Sequence, residues 1–81
     1  MNKLTRIIEL KNLINSYGGT WKLIATWSEI GFYKLAVSFD PKKSAVDSFA
    51  EEAYQKLGFF YEGGNEPDTY ERTGSEFIFA I

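Results

Sequence analysis

Apolar residues recur along the chain with two different periods, and each change of period marks a new element. The first segment repeats at steps of three and four, as one face of a helix does. Its apolar stripe consists of Leu4, Ile7, Ile8, Leu10, Leu13, Ile14 and Tyr17. Asn2 precedes the stripe and can cap the first turn, whereas Gly18 and Gly19 follow it with the backbone freedom that ends helices. The pattern therefore predicts a first helix that ends near Tyr17.

After the glycine pair the period changes to two, which is typical of a half-buried strand. One face of this strand carries Trp21, Leu23, Ala25 and Trp27. A short turn is expected at Ser28 to Gly31. The alternation then resumes, with Tyr33, Leu35, Val37 and Phe39 on one face and Phe32, Lys34, Ala36 and Ser38 on the other. We predict an antiparallel hairpin from these two runs.

A second helix follows the hairpin, with two possible caps. Either Asp40, with Pro41 at the first helical position, or Ser44, with Asp47 three residues later, can cap it. Its predicted apolar face consists of Val46, Phe49, Ala50, Ala53, Tyr54 and Leu57. Gly58 stands where a helix-ending glycine is expected.

The remainder of the chain predicts three strands. They cover Phe59 to Glu62, Tyr70 to Thr73 and Glu76 to Ile81, with a loop at Gly63 to Asp68 and a two-residue hairpin turn at Gly74-Ser75. The order α-β-β-α-β-β-β indicates a single α+β domain over residues 1–81. We expect a mostly antiparallel sheet of four to five strands, with two helices packed on one face and the other face partly open.

Composition narrows the possible chemistry. The 81 residues include neither histidine nor cysteine, so no Ser-His-Asp triad, Cys-His pair or imidazole and thiolate zinc site can form. The loop at Gly63 to Asp68 lacks the ligand spacing of a calcium loop, and no phosphate-binding glycine motif is present. Glu51 and Glu52 are adjacent on a helix, so they point about 100° apart. We therefore expect a non-enzymatic protein without cofactor or metal.

One segment resembles a known family. The run Ala50-Glu51-Glu52-Ala53-Tyr54-Gln55-Lys56-Leu57-Gly58-Phe59-Phe60-Tyr61-Glu62-Gly63 resembles the helix-to-strand segment near the end of Gcn5-related acetyltransferases. In that family, a glycine-rich turn after an earlier strand holds the acyl-CoA pyrophosphate. Here Phe39-Asp40-Pro41-Lys42-Lys43 occupies that place without the glycines. The resemblance implies the local helix-to-strand geometry, and the departure removes the acyl-CoA binding.

Charge is divided unevenly along the chain. Residues 1–39 carry five basic and two acidic groups, and residues 40–81 carry four basic and nine acidic groups, which together give the net charge of −2. An isoelectric point near 5.0 argues against nucleic-acid binding, which usually needs a basic surface. The alternative is a small nucleic-acid-binding face formed by Lys22, Phe32 and Lys34 on the open side of the first hairpin.

Acidic and aromatic residues cluster near the long loop, which favours a protein-interaction surface where rings anchor a partner and charges steer it. The predicted partner-binding residues are Tyr61, Glu62, Glu66, Asp68, Tyr70, Glu71 and Arg72. A solvated face that only aids solubility is the other interpretation of this cluster. The natural target of such a surface is a protein with a basic surface, including one that normally holds nucleic acid.

We therefore expect a stoichiometric inhibitor or regulator that binds a larger protein. By analogy of size and charge, this class includes virus-encoded inhibitors of host nucleic-acid-processing or defence machinery, such as anti-CRISPR-type proteins. The chain is expected to be a monomer or weak homo-oligomer. The short apolar runs predict no membrane span, and the absence of cysteine suits a bacterial or host cytoplasm.

Overall fold

The order of helices and strands follows the prediction. The computed structural model describes residues 2–27 and 32–81. Its elements are α1 (Lys3–Ser16), β1 (Thr20–Trp27), β2 (Phe32–Ser38), α2 (Val46–Leu57), β3 (Phe60–Tyr61), β4 (Thr69–Thr73) and β5 (Glu76–Ala80). The α-β-β-α-β-β-β order and the α+β class are confirmed, whereas the turn predicted at Ser28 to Gly31 lies outside the described residues.

The five strands form one sheet in the order β1-β2-β5-β4-β3. Three of the neighbouring pairs are antiparallel, but β3 runs parallel to β4, so the sheet is mixed. The pair is parallel because residues 62–68 carry the chain back past β3, so that β4 starts beside the first residue of β3 and runs in the same direction. The edges of the sheet are β1 on one side and the two-residue β3 on the other.

Both helices cover the same face of the sheet, and aromatic rings fill the layer between them. Phe49 of α2 is fully buried, and its ring centroid lies 4.6 Å from that of Phe39 and 5.2 Å from that of Phe77. Leu10 and Ile14 of α1 are also fully buried in this layer. Large rings thus supply much of the core of this short chain.

The first helix begins as predicted, but its apolar stripe is only partly buried. The side chain of Asn2 accepts a hydrogen bond of 2.8 Å from the amide of Thr5, which confirms the predicted cap. Leu4 and Ile8 remain 66% and 50% exposed, because α1 packs on the sheet and on α2 through the adjacent stripe that contains Leu10. The predicted apolar stripe is therefore present, but these two of its members do not reach the core.

Neither predicted cap begins the second helix. The Asp40 carboxylate accepts a hydrogen bond of 3.0 Å from the Lys42 amide, in a turn that precedes the helix. The Ser44 hydroxyl donates to the Tyr17 carbonyl at 2.7 Å. Helix α2 therefore begins at Val46, after a residue that provides no side-chain cap. Both predicted caps were wrong, because the side chains of Asp40 and Ser44 form hydrogen bonds outside α2.

Strand β1 contains an irregularity that simple alternation did not predict. Its register with β2 shifts between Leu23, which pairs with Leu35, and Ala25, which pairs with Lys34. A bulge of this kind interrupts the alternation of faces. The regular alternation predicted for this strand is therefore interrupted between Leu23 and Ala25. Neither helix in the described ranges has the length and apolar character needed to cross a bilayer.

Candidate interaction surface

The loop of residues 62–68 packs on the sheet face opposite the helices. Gly64 is buried there, and a Cβ atom at this position would lie 3.0 Å from the carbonyl oxygen of Ile78 and 3.3 Å from the amide nitrogen of Glu71. Its φ angle is +67°, which glycine adopts without strain. The Lys34 ammonium donates to the side-chain oxygen of Asn65 at 3.4 Å. The loop therefore covers part of the face that was expected to be open.

The alternative nucleic-acid face is altered by this arrangement. Lys22 is exposed on β1, but Lys34 is half-buried and hydrogen-bonded to Asn65. Phe32 is only 7% exposed. A ring that stacks on a nucleotide base must present one of its flat faces to solvent. Phe32 offers little such surface, so the structure does not assemble these three residues into a stacking platform.

Asp68, one of the predicted partner-binding residues, is engaged within the chain. Its carboxylate accepts a hydrogen bond from the guanidinium of Arg6 in α1 and forms an ion pair with it. The same guanidinium donates to the Leu57 carbonyl and lies 4.4 Å from the centroid of the Phe59 ring. Desolvation by burial lowers the pKa of Arg6. Asp68 therefore ties the loop to α1.

Tyr70 and Arg72 also have structural environments. Tyr70 is 6% exposed and packs 5.1 Å from the Phe79 ring, and burial raises the pKa of its phenol. The Arg72 guanidinium lies 2.7 Å from the Asp47 carboxylate and 5.1 Å from the centroid of the Phe77 ring. These two side chains join β4 to the core and to α2, so little of either is offered to a partner.

The other four predicted residues remain accessible. Tyr61 is 64% exposed on β3, and its ring packs edge-on against Tyr70 at 5.5 Å. Glu62, Glu66 and Glu71 are exposed on or beside the loop of residues 62–68. The predicted surface is therefore smaller than expected, because three of its members fix the fold and four face solvent.

Two further aromatic residues extend this surface, and sequence reasoning did not assign them to it. Phe60 is 49% exposed, and Tyr54, which was predicted to lie on the buried face of α2, is 45% exposed. Their ring centroids lie 5.2 Å apart in an edge-on contact. A signal was present, since alternation requires that Phe59-Phe60-Tyr61 place at least one ring outside the core. Phe59 is the fully buried member of that run.

We call this surface the aromatic-acidic edge. It comprises Tyr54, Phe60, Tyr61, Glu62, Glu66 and Glu71. It lies at the β3–β4 end of the sheet, where the backbone groups of β3 lack a neighbouring strand on one side. Exposed rings surrounded by charged groups are typical of binding surfaces.

A hydrogen bond between Tyr17, at the end of α1, and Glu52 of α2 links the two helices. The ammonium of Lys56 lies 2.6 Å from a carboxylate oxygen of Glu52. Hydrogen bonds from Lys56 and from the Tyr17 phenol lower the pKa of Glu52, and the same bond to Glu52 raises the pKa of Tyr17. This contact connects the end of α1 to the middle of α2.

Other polar groups of the described part of the chain form no metal cage. Within residues 2–27 and 32–81, no group of three or more acidic side chains could hold a metal ion. A hollow of about 670 Å³ beside the start of α2 is lined in part by Ser44, Ser48 and Ser75, together with Arg72. The cationic group in this lining, the guanidinium of Arg72, is paired with the carboxylate of Asp47.

No protein-family model, curated protein or solved structure matches this chain. The local helix-to-strand geometry implied by the acetyltransferase resemblance is present, since α2 ends at Leu57 and Gly58 adopts a φ of +75° before β3.

Proposed function

We propose that this chain is a non-enzymatic protein-interaction module that acts as a stoichiometric inhibitor or regulator by binding a larger protein. The observation that supports it is the aromatic-acidic edge, where three aromatic side chains are between 45% and 64% exposed, whereas most of the other aromatic side chains that the structure describes are buried. Large exposed rings are the anchors that dominate protein interfaces, because they bury much apolar area with few rotatable bonds.

The charges on this edge define the chemistry of the partner. Three of its residues, Glu62, Glu66 and Glu71, carry exposed carboxylates at the β3–β4 end of the sheet. A basic partner surface would be attracted to them, and the rings would then supply the short-range contact. A nucleic-acid-binding protein is a natural member of this class, since its basic groups can accept carboxylates in place of phosphates.

The narrower proposal is a virus-encoded inhibitor of host nucleic-acid-processing or defence machinery, acting in a bacterial or host cytoplasm. The support for it is an analogy in size, net charge and absence of histidine and cysteine. The proposal of a protein partner does not depend on this narrower identification.

Comparative affinity capture tests the proposal. The bait is the full chain, and captured proteins are quantified by mass spectrometry in parallel for wild type, Tyr61→Ala and Glu62→Lys/Glu66→Lys. Tyr33→Ala is the matched control, because Tyr33 is a 39% exposed tyrosine on β2, away from the β3 edge. Thermal unfolding of each variant verifies that its fold is retained.

The expected result is one protein retained in stoichiometric amount by wild type and by the Tyr33 control, and reduced at least about tenfold by either edge variant, as hot-spot truncation predicts. Equal capture by wild type and both edge variants would refute the surface assignment. Turnover of a substrate by the pure chain would refute the non-enzymatic assignment.

A further inference from the structure

Strand β1 is an edge of the sheet, and its outer side pairs with no strand of the described chain. The hydrogen bonds of β2 show which backbone groups point outward. The amide of Tyr33 donates to the carbonyl of Ile81 at 2.8 Å, and its carbonyl accepts from the amide of Ile81 at 2.9 Å. Because successive residues of a strand direct these groups to alternate sides, Ala36 directs its own to β1. Its partner there is Lys22.

Trp21 and Leu23, the neighbours of Lys22, therefore direct their amides and carbonyls away from the sheet. The register with β2 is regular from Thr20 to Leu23 and shifts only after Leu23. Over this stretch Trp21, Leu23 and Ile24 are 40%, 50% and 46% exposed. An exposed apolar edge with unpaired backbone groups is a template for one more strand.

The flank of α1 beside this edge is also apolar and exposed. The ammonium of Lys11 lies 4.0 Å from the centroid of a Trp21 ring, which places this flank of the helix next to β1. Leu4 and Ile8 precede Lys11 by seven and three residues, spacings that share one flank of a helix. They are 66% and 50% exposed. The exposed apolar surface therefore continues from the strand edge into the helix layer.

We propose that the chain forms a two-fold dimer through β1, with the two copies of this strand as antiparallel neighbours in one sheet. A strand that meets its own copy across a two-fold axis normal to the sheet satisfies its own donors and acceptors. The same axis keeps both α1 helices on one face of the sheet. The exposed flank with Leu4 and Ile8 then faces its counterpart, so a second copy of the chain matches this surface in both layers.

The sequence of β1 selects the register of this pairing. Centring the axis on Lys22 would place two ammonium groups directly opposite each other, which is destabilising. Centring it on Leu23 would bring the irregular pairing that follows Leu23 into the new ladder. Centring it on Trp21 avoids both problems. The two Trp21 residues then exchange both backbone hydrogen bonds, their rings are cross-strand neighbours, and Lys22 lies opposite Thr20.

This dimer goes beyond the function proposed for the aromatic-acidic edge. Since β1 and β3 are the two ends of the strand order, pairing through β1 leaves one aromatic-acidic edge at each end of the joined sheet. The dimer contact and the contact with a larger protein therefore use different surfaces of the chain.

Crosslinking through a single introduced cysteine tests the register, because the chain has no cysteine of its own. Two residues that exchange both backbone bonds have Cα atoms about 5.5 Å apart, which a disulfide spans. Trp21→Cys should therefore form a covalent dimer on mild oxidation. Leu23→Cys is the matched control, since Leu23 is similarly exposed. Its two copies would lie about 14 Å apart, so it should crosslink at least about tenfold more slowly.

Amide exchange of the wild-type chain, followed by NMR, tests the contact without any substitution. Light scattering of the same samples should report twice the 9.3 kDa of one chain on concentration. In the dimeric sample, exchange of the Trp21 and Leu23 amides is expected to slow at least about tenfold relative to a dilution that contains single chains. Exchange of the Lys22 amide, which faces β2, should change less.

Three results would overturn this proposal. A single-chain mass at about 1 mM would show that the chains do not pair. Equally fast crosslinking of Trp21→Cys and Leu23→Cys would show collision without a fixed register. Slowed exchange of the Trp21 amide only after addition of the protein captured by the aromatic-acidic edge would assign β1 to that partner. None of these outcomes alters the capture result expected for Tyr61→Ala.

Discussion

Substituting Arg6 with alanine should destabilise the protein by about 2–4 kcal/mol, because several contacts converge on this guanidinium. It donates to the Leu57 carbonyl, pairs with Asp68 and lies over the Phe59 ring. A hydrogen bond to a charged group contributes about 1.5–3 kcal/mol. The Asp68 side chain is 49% exposed, so its ion pair adds up to about 1 kcal/mol. The ring contact adds about 0.5–1 kcal/mol, and the three are not fully additive.

This loss is large for a chain of 81 residues, since domains of this size have total stabilities of about 4–12 kcal/mol. Urea unfolding followed by circular dichroism measures it. Asp68→Asn should be destabilising by about 0.5–1 kcal/mol, because it removes the charge of the carboxylate but keeps its size. The exposed residue Lys43 provides the control, and Lys43→Ala should remain within about 0.5 kcal/mol of wild type.

A double-mutant cycle isolates the pair. If Arg6 holds Asp68, the double variant should be less destabilised than the sum of the two single variants, with a coupling of about 0.5 kcal/mol or more. A coupling of zero, or an Arg6→Ala variant as stable as wild type, would refute the structural role of Asp68. Asp68 would then return to the candidates for direct partner contact.

Three further predictions concern the loop, the helix contact and the chain end. Gly64→Ala should lower stability by about 1–3 kcal/mol in urea unfolding, because it places a Cβ atom against β5 at a φ of +67°; unchanged stability would mean that the loop is not docked. Tyr17→Phe should raise the pKa of Glu52, because it removes the hydrogen bond from Tyr17 and keeps the one from Lys56. Ionised Glu52 would then stabilise the fold less, so the variant should lose less stability than wild type as the pH falls through the pKa of Glu52. A carbon-13 NMR titration that gives the same Glu52 pKa in both proteins would contradict this. Deleting residues 79–81 should abolish the cooperative thermal transition, since Phe79, Ala80 and Ile81 are each at most 1% exposed; a truncated chain that still melts cooperatively would show that β5 contributes little.

The periods of the apolar residues predicted the order of elements well, because local patterns determine which segments can bury one face. Phe77 and Phe79 are two residues apart on β5 and are both buried on the same face of the sheet. The Asn2 cap was predictable for the same reason, since its hydrogen bond reaches only three residues along the chain.

Long-range contacts determined what the sequence did not reveal. The parallel pairing of β3 depends on how the loop of residues 62–68 crosses the sheet. Ser44 does not cap α2, because its hydroxyl donates a hydrogen bond to the carbonyl of Tyr17, 27 residues away in the sequence. The bulge between Leu23 and Ala25 also has no local signal in an alternating run.

The candidate surface shows the same division. Charge and aromatic content drew attention to the segment around the loop, but only packing distinguishes a carboxylate that faces solvent from one that anchors the fold. Glu66 and Asp68 are two residues apart, yet Glu66 is exposed and Asp68 pairs with Arg6. Tyr54 was expected to be buried, and its 45% exposure could be recognised only once α2 was placed on the sheet.

Hydrogen–deuterium exchange of the chain, alone and in complex with the protein it captures, tests whether the chain binds that protein through the aromatic-acidic edge. If it does, exchange of backbone amides should slow over residues 58–66 in the complex and stay unchanged over residues 41–48. Slowed exchange confined to residues 41–48, with residues 58–66 unaffected, would contradict it.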